Sequence, residues 1–326
     1  MASGDKLDGA QLIDFYRRML LIRVFEERSA EQYMLGRIRG FLHLYNGEEA
    51  IAVGAISSLQ PTDYVVTHYR DHGHALAKGM DPNAAMAELF GKATGCSKGK
   101  GGSMHLFDLE KRFMGGHAIV GGQLPLSTGF ALASKLRGDG DIALCFLGDG
   151  AINEGEFHES LNLASLWKLP VLFFVENNLY GMGATVEQML AFHDEIYKFA
   201  NGYKIPSVRI DGMDVLKVRE ATQEAIAHVR GGNGPFLIEA MAYRFRGHSM
   251  ADPAEYRARS EEERWRMRDP ITTFGASLVD GGTATQEELD EIRTEVEEII
   301  DAAVQFAEDS PFPEPEALYD DVYGGM

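Results

Sequence analysis

Two strand-to-loop corners carry the residue types best suited to chemistry. Gly148-Asp149-Gly150 closes the apolar run 142–147, and 26 residues later Asn177-Asn178 closes a second apolar run, 171–175. Helix-compatible sequence lies between them. A strand–turn–helix–strand unit brings the ends of two neighbouring strands together, which is where open α/β sheets place their ligands. Asp149 and Asn178 would then offer two hard oxygen donors to one small cation, and the glycines let main chain approach a phosphate closely. Such an arrangement holds magnesium on a diphosphate. Gly, Asp and Asn are also ordinary turn residues. Either corner alone is weak; the pair, at this spacing and after these apolar runs, is strong.

The elements that must position these corners alternate along the centre of the chain. Apolar runs and turn residues predict strands at 142–147, 171–175, 207–210 and 236–243, with helices at about 155–167 and 214–230. That alternation argues for an α/β fold built on a doubly wound, mostly parallel sheet. Helix formers fill 11–39, with Leu12, Phe15, Tyr16, Met19, Leu20 and Phe25 at helical spacing, and predict an N-terminal helical arm over 1–40. Asp81-Pro82 reads as a helix start, and Thr285 with Glu288 as a capping box opening a C-terminal helix over 285–309. The main domain is thus expected over 41–309. Within it, 95–102 is a glycine-dense basic loop, and the charged stretch 244–269 reads as a long mobile loop. The proline-rich 310–326 reads as an extended tail.

Composition narrows the function. The 326 residues are 45% hydrophobic, enough for one large domain with extensions. A formal net charge of −19 argues against nucleic-acid or anionic-membrane binding, since phosphates are repelled. Any basic cluster that binds a diphosphate must therefore be local. The two cysteines, Cys96 and Cys145, form no CxxC and no zinc pattern, and read as reduced thiols. No apolar stretch approaches the roughly 18 residues needed to span a bilayer. Residues 1–6 show neither a signal core nor an Arg-rich presequence.

The spacing GDG-x26-NN is similar to the signature of thiamine-diphosphate enzymes. The longer string from Gly148 to Gly183 resembles the alpha subunits of the two-chain, decarboxylating component of the 2-oxoacid dehydrogenases, and its pyruvate branch in particular. So do GFLHLYNGEEA (40–50), THYRDHGHALAKG (67–79), GKGGSMH (99–105), RIDGMDVLKVREA (209–221) and YRFRGHSMADP (243–253). The resemblance implies the diphosphate-binding half of a thiamine-diphosphate fold with N- and C-terminal helical extensions. It implies decarboxylation of pyruvate, with transfer of the acetyl group to the lipoyl domain of a dihydrolipoamide acetyltransferase. The activating glutamate, which family enzymes carry on a separate pyrimidine-binding domain, would come from a beta subunit in an α2β2 tetramer. The location implied is a bacterial cytoplasm, or a plastid stroma if a transit peptide was removed.

Residue by residue, the resemblance assigns magnesium to Asp149, Asn178 and the Tyr180 carbonyl. Diphosphate contacts fall to Tyr69, Arg70, Arg244 and His248, joined by the N–H groups of a helix starting near Gly150 and Ala151. Met182 matches the bulky apolar prop that bends the cofactor. Ala118 and Val120 match main-chain contacts to the aminopyrimidine, although His117-Ala118 replaces the Asn-Gly common in relatives. His248 matches the histidine that stabilises charge during acyl transfer, and His43 a position that contacts pyruvate. His72 and His74 flank Gly73 and are read as possible channel residues, with a structural role equally open; His72 joins His43 and His248 as a catalytic candidate. Ser249 corresponds to a phosphorylated position in mitochondrial relatives, with an ordinary loop serine the favoured reading.

An acetoin or branched-chain 2-oxoacid dehydrogenase alpha subunit is the nearest alternative; the unaltered GDG and Tyr180-Gly-Met-Gly183 favour pyruvate. A scaffold subunit that lost catalysis is opposed by intact Asp149, Asn178, Arg70 and His248. A nicotinamide oxidoreductase is opposed by GDGAINEG standing where G-x-G-x-x-G would be needed.

Overall fold

A computed structural model describes residues 7–320 and 322. Residues 1–6, read above for a leader, and positions 321 and 323–326 of the expected tail lie outside the described residues. Among the described residues eight strands form in chain order: β1 (Tyr64–His68), β2 (Phe113–His117), β3 (Ala143–Gly148), β4 (Val171–Asn177), β5 (Tyr180–Gly181), β6 (Ala184–Thr185), β7 (Ser207–Asp211) and β8 (Phe236–Met241). Six of them make one sheet in the order β2-β1-β3-β4-β8-β7, and every pairing in it is parallel. β5 and β6 form a separate two-residue hairpin.

Parallel strands covered on both faces must be apolar on both faces, and β3 and β4 are. Leu144, Phe146, Leu172 and Phe174 face one core, shared with the helices Gly9–Met34, Glu49–Ile56 and Gln286–Asp309. Cys145, Leu147, Phe173 and Val175 face the other, shared with the helices Gln123–Arg137 and Gly155–Leu166. The strand period of two thus splits one run of side chains between two helical layers.

The sequence-based elements are found at 143–148, 171–177, 207–211 and 236–241, with helices Gly155–Leu166 and Val215–His228. Asp81 caps Pro82–Leu89, and Thr285 with Glu288 forms the capping box of Gln286–Asp309. The first helix packs on the main domain: Phe15, Met19, Leu20, Ile22 and Phe25 lie inside the larger core. Two expectations need correction. The stretch 244–269 contains a helix, Arg259–Arg266, and the residues before it are tied to one another. Asp252 accepts from His248 N (2.6 Å), Ala254 N (2.9 Å) and the Tyr256 hydroxyl (2.6 Å), while Arg257 donates to the main-chain oxygens of Arg244 (2.6 Å) and Arg246 (2.9 Å). These local bonds order the segment, which composition alone does not reveal. The tail coils at Pro315–Tyr319 into a 3₁₀ turn.

Strand order fixes where a ligand fits. The chain runs outward from β1 to β2, then returns to place β3 on the other side of β1. Loops leaving β1 and β3 therefore diverge to opposite faces, and the crevice between their carboxyl ends is the topological switch point where doubly wound folds bind ligands.

Candidate functional site

A cavity of about 390 Å³ opens at that crevice. Each wall comes from the loop that follows a strand: Tyr69 and Arg70 after β1, Ala118 and Val120 after β2, Asp149, Gly150 and Ala151 after β3, Asn178, Tyr180 and Met182 after β4, and Arg244 and His248 after β8. His43 joins them from the loop before the helix Glu49–Ile56.

At the floor, Asp149 is 2% exposed and its Oδ2 accepts the Asn178 main-chain N–H at 3.2 Å. Gly150 and Ala151 belong to a 3₁₀ turn, Asp149–Asn153, with the α-helix itself starting at Gly155. The expected helical N-terminus is therefore a tighter turn. Arg244 is 1% exposed, and its Nη1 stands 3.5 Å from Asn178 Oδ1 and 3.3 Å from the Tyr180 carbonyl oxygen. The protein's own cation thus lies against two of the three oxygens assigned to magnesium. A carboxylate, an amide oxygen and a carbonyl oxygen around one point form a hard donor set of the kind magnesium takes. The residues present fit that ion, and the adjacent Arg70 and Arg244 fit a diphosphate beside it.

A family comparison bears on this geometry. The model of the dehydrogenase E1 component matches residues 16–316. The chain belongs to the dehydrogenase E1 component family. It is 49% identical over 308 residues, covering 94% of this chain and 88% of the relative, to the pyruvate dehydrogenase E1 component subunit alpha of Rhizobium meliloti. To the protein of the same name in Zymomonas mobilis it is 47% identical over 320 residues, covering 98% and 90%. A third relative, the chloroplastic pyruvate dehydrogenase E1 component subunit alpha-3 of Oryza sativa, is 46% identical over 323 residues, covering 96% and 76%.

In this family member the electrostatics of the cleft are set by burial. Burial pushes the Asp149 carboxyl up to about 6, against the pull of Arg244 and of the Gly150, Asn178 and Leu179 N–H groups. A cation there would release the strain of that buried charge. Burial, followed by Arg70, holds His43 down to about 2; burial, followed by Arg70 and Arg244, holds His248 down to about 3. Both imidazoles are neutral near pH 7. Their rings are 5.1 Å apart and share Tyr69, whose ring centroid is 4.7 Å from that of His43 and 5.6 Å from that of His248. Nδ1 of each is buried without a protein partner, leaving a lone pair or a proton for a ligand.

Met182 has a left-handed φ of 56° and is 65% exposed at the rim. Leu179 shares that unusual backbone region at φ 75°. Two non-glycine residues held there within one short loop mark a main chain constrained by its surroundings.

His72 is the one expected site residue that the fold keeps out of the cleft. Its ring is fully buried, with Nδ1 2.8 Å from Glu26 Oε2 and Nε2 2.9 Å from Ser103 Oγ. That hydroxyl accepts the His43 main-chain N–H at 3.3 Å. His72 therefore reaches the cavity only through Ser103 and His43, and its place among the catalytic candidates is corrected to a supporting one.

His74 is buried too, in a cluster the sequence reading missed. His68 Nε2 lies 2.5 Å from Glu176 Oε2, His74 Nε2 lies 3.0 Å from Glu176 Oε1, and the Tyr45 hydroxyl donates to the same Oε1. Two imidazoles and a carboxylate so placed also match metal-ligand spacing. Hydrogen bonding decides against a metal. The Arg70 main-chain N–H donates to His68 Nδ1 at 3.1 Å, so the His68 proton sits on Nε2 and points at Glu176. A metal would need a lone pair there. Burial alone would raise the Glu176 pKa, but His74 and His68 hold it well below the usual carboxylate range. The signal for this cluster was Glu176 itself, an acidic residue in an apolar strand directly before Asn177-Asn178.

Proposed function

We infer that this chain is the alpha half of a thiamine-diphosphate-dependent pyruvate dehydrogenase E1 component. The observation that carries the reading is the convergence at the switch point of Asp149, Asn178 and the Tyr180 carbonyl beside Arg70 and Arg244. Neither a scaffold subunit without catalysis nor a nicotinamide oxidoreductase requires three oxygen donors and two buried guanidiniums at one strand-end crevice. The names of the relatives support pyruvate over acetoin or branched-chain substrates.

Bound thiamine diphosphate supplies a nucleophilic carbon and an electron sink for decarboxylation. Asp149, Asn178 and Tyr180 would hold magnesium, and Tyr69, Arg70 and Arg244 would take the diphosphate with the N–H groups of Gly150 and Ala151. Ala118 and Val120 would offer main chain to the aminopyrimidine, while Met182 would present an apolar face to the cofactor. Neutral His43 and His248 face the substrate side, able to accept or give a proton at Nδ1 as charge develops on a 2-oxoacid carboxylate or an acyl group. The relatives' naming as a subunit alpha supports a beta subunit as the source of the activating glutamate, in α2β2. The acetyl group then passes to a lipoyl domain of dihydrolipoamide acetyltransferase. No helix among the described residues is long and apolar enough to cross a membrane. Cys96 and Cys145 are free thiols, in keeping with a bacterial cytoplasm.

The test is 2-oxoacid-dependent reduction of an artificial electron acceptor by the chain co-purified with the subunit it captures. Pyruvate, branched 2-oxoacids and acetoin are compared, with thiamine diphosphate and magnesium present or withheld. Strict cofactor dependence with pyruvate preferred, and no activity from the chain alone, supports the reading. Activity from the chain alone would place the glutamate here, and preference for another substrate would move the assignment within the group.

A further inference from the structure

Glu48 was assigned no role by the sequence, yet it lies directly beneath the cleft. It is 1% exposed and sits next to Gly47, whose φ is 99° and where a Cβ would collide with the Tyr243 carbonyl. Main chain of that shape, against that carbonyl, admits only glycine, and it fixes where Glu48 starts. One carboxylate oxygen, Oε1, accepts from Asn178 Nδ2 at 3.0 Å. The other, Oε2, is buried without a hydrogen-bond partner and faces Arg70 Nε at 3.8 Å.

An asparagine amide has unlike ends of nearly equal shape, so its orientation is set by its neighbours. A carboxylate only accepts. Glu48 therefore draws the Nδ2 end of Asn178 to itself and turns Oδ1 the other way. On that side Oδ1 meets the Tyr180 N–H at 3.4 Å and Arg244 Nη1 at 3.5 Å, beside Asp149. The flipped amide would present N–H₂ to the cation and oxygen to a carboxylate, wrong at both ends.

We propose that Glu48 is a positioning residue that orients the Asn178 amide, so that its oxygen and not its nitrogen faces the divalent cation. The proposal rests on the cation site inferred above. Partners that orient a metal ligand typically carry 10–100-fold in affinity.

The experiment uses the chain co-purified with its captured subunit and follows Mn²⁺ binding by paramagnetic resonance of the free ion, with thiamine diphosphate present. Glu48→Ala should weaken Mn²⁺ roughly 10-fold or more, and Glu48→Gln, which keeps an acceptor for Nδ2, should recover most of the loss. Should Glu48→Ala fail to fold, a reciprocal pair gives the answer. Asn178→Asp supplies a better oxygen ligand but sets two carboxylates against each other, so it should bind Mn²⁺ more weakly than wild type. Adding Glu48→Gln, whose amide can donate to the new carboxylate, should restore binding. A merely structural Glu48 would not give that rescue. Asn178→Asp binding as tightly as wild type, or Glu48→Ala leaving affinity unchanged while Asp149→Ala abolishes it, overturns the proposal and leaves the cation site standing. Wild type that takes up no Mn²⁺ with thiamine diphosphate overturns the cation site itself.

Discussion

The Asn178 main-chain N–H donates to Asp149 Oδ2 across the carboxyl ends of β4 and β3 at 3.2 Å. This bond ties the two corners that chemistry singled out in the sequence, and the Gly150 and Leu179 N–H groups share the same carboxylate. Replacing Asp149 by Asn keeps the shape and removes the charge. Outer partners of a metal ligand already carry 10–100-fold, so this change should weaken magnesium-dependent cofactor binding by at least about 100-fold. Calorimetric titration of thiamine diphosphate at fixed magnesium checks it, and unchanged affinity would remove Asp149 from the ligand set.

Arg244 should be no more replaceable by lysine than by methionine. Its guanidinium spreads across Asn178, the Tyr180 and Met182 carbonyls and the Tyr256 hydroxyl, a fork that an ammonium cannot reproduce. Breaking a buried charged pairing of this kind costs about 2–5 kcal/mol, so diphosphate affinity should fall at least about 30-fold in Arg244→Met. The same titration decides, and a lysine variant with wild-type affinity would refute the fork argument.

Met182 separates cofactor shaping from stability. It is largely exposed, so Met182→Ala should change the unfolding free energy by less than about 0.5 kcal/mol. Turnover should nevertheless drop if the side chain props the cofactor. Chemical denaturation and steady-state rates, read together, test both halves. A loss of stability instead would make the residue a packing group.

The fully buried His72 gives a pH signature of known sign. Burial lowers its pKa, but Glu26 and a hydrogen bond to it raise it further, and the net direction is upward from 6.5. A histidine whose folded pKa is raised adds stability that is fully present below the unfolded value and is lost as pH rises through the folded value. His72→Gln should therefore destabilise the chain more at pH 5.5 than at pH 9. Urea melts of both proteins at the two pH values measure this, and a penalty that grows with pH would reverse the sign assigned here.

The core should be far less tolerant. Phe146 on β3 is fully buried between the His74 ring, 4.2 Å away, and the Phe174 ring, 5.3 Å away. Phe146→Ala should cost about 3–5 kcal/mol, measurable as a shift of the denaturant midpoint without change of slope. A cost under 1 kcal/mol would mean that the site collapses freely.

What could be read from the sequence followed periodicity and special chemistry. β3, β4, β7 and β8 stood out as apolar runs bounded by turn residues, and Asp149 and Asn178 as polar groups closing two of them. β1 and β2 did not, although Tyr69, Arg70, Ala118 and Val120 follow directly on them. β1 is five residues long and runs straight into a polar motif, while β2 reads Phe-Met-Gly-Gly-His, with two glycines that weaken any strand signal. Their identity comes from pairing with distant neighbours, which no local window contains. Glu48, Glu176 and the inward turn of His72 were hidden for a related reason. Carboxylates and imidazoles read as surface or catalytic groups until the fold shows which partner each has been buried against.

The strand order carries a consequence for biosynthesis. β1 is first in sequence but lies inside the sheet, between β2 and β3, and Arg244 and His248 emerge long after Tyr69. A chain leaving the ribosome holds the early half of the cleft with no late half to close it, and parallel pairing over such separations is slow. This chain's half of the cleft is complete only when translation has passed residue 248 and β8 has docked on β4. Retention of thiamine diphosphate by a stalled nascent chain supplied with its captured subunit would thus report that the six-stranded sheet is assembled, and not the maturity of any one segment.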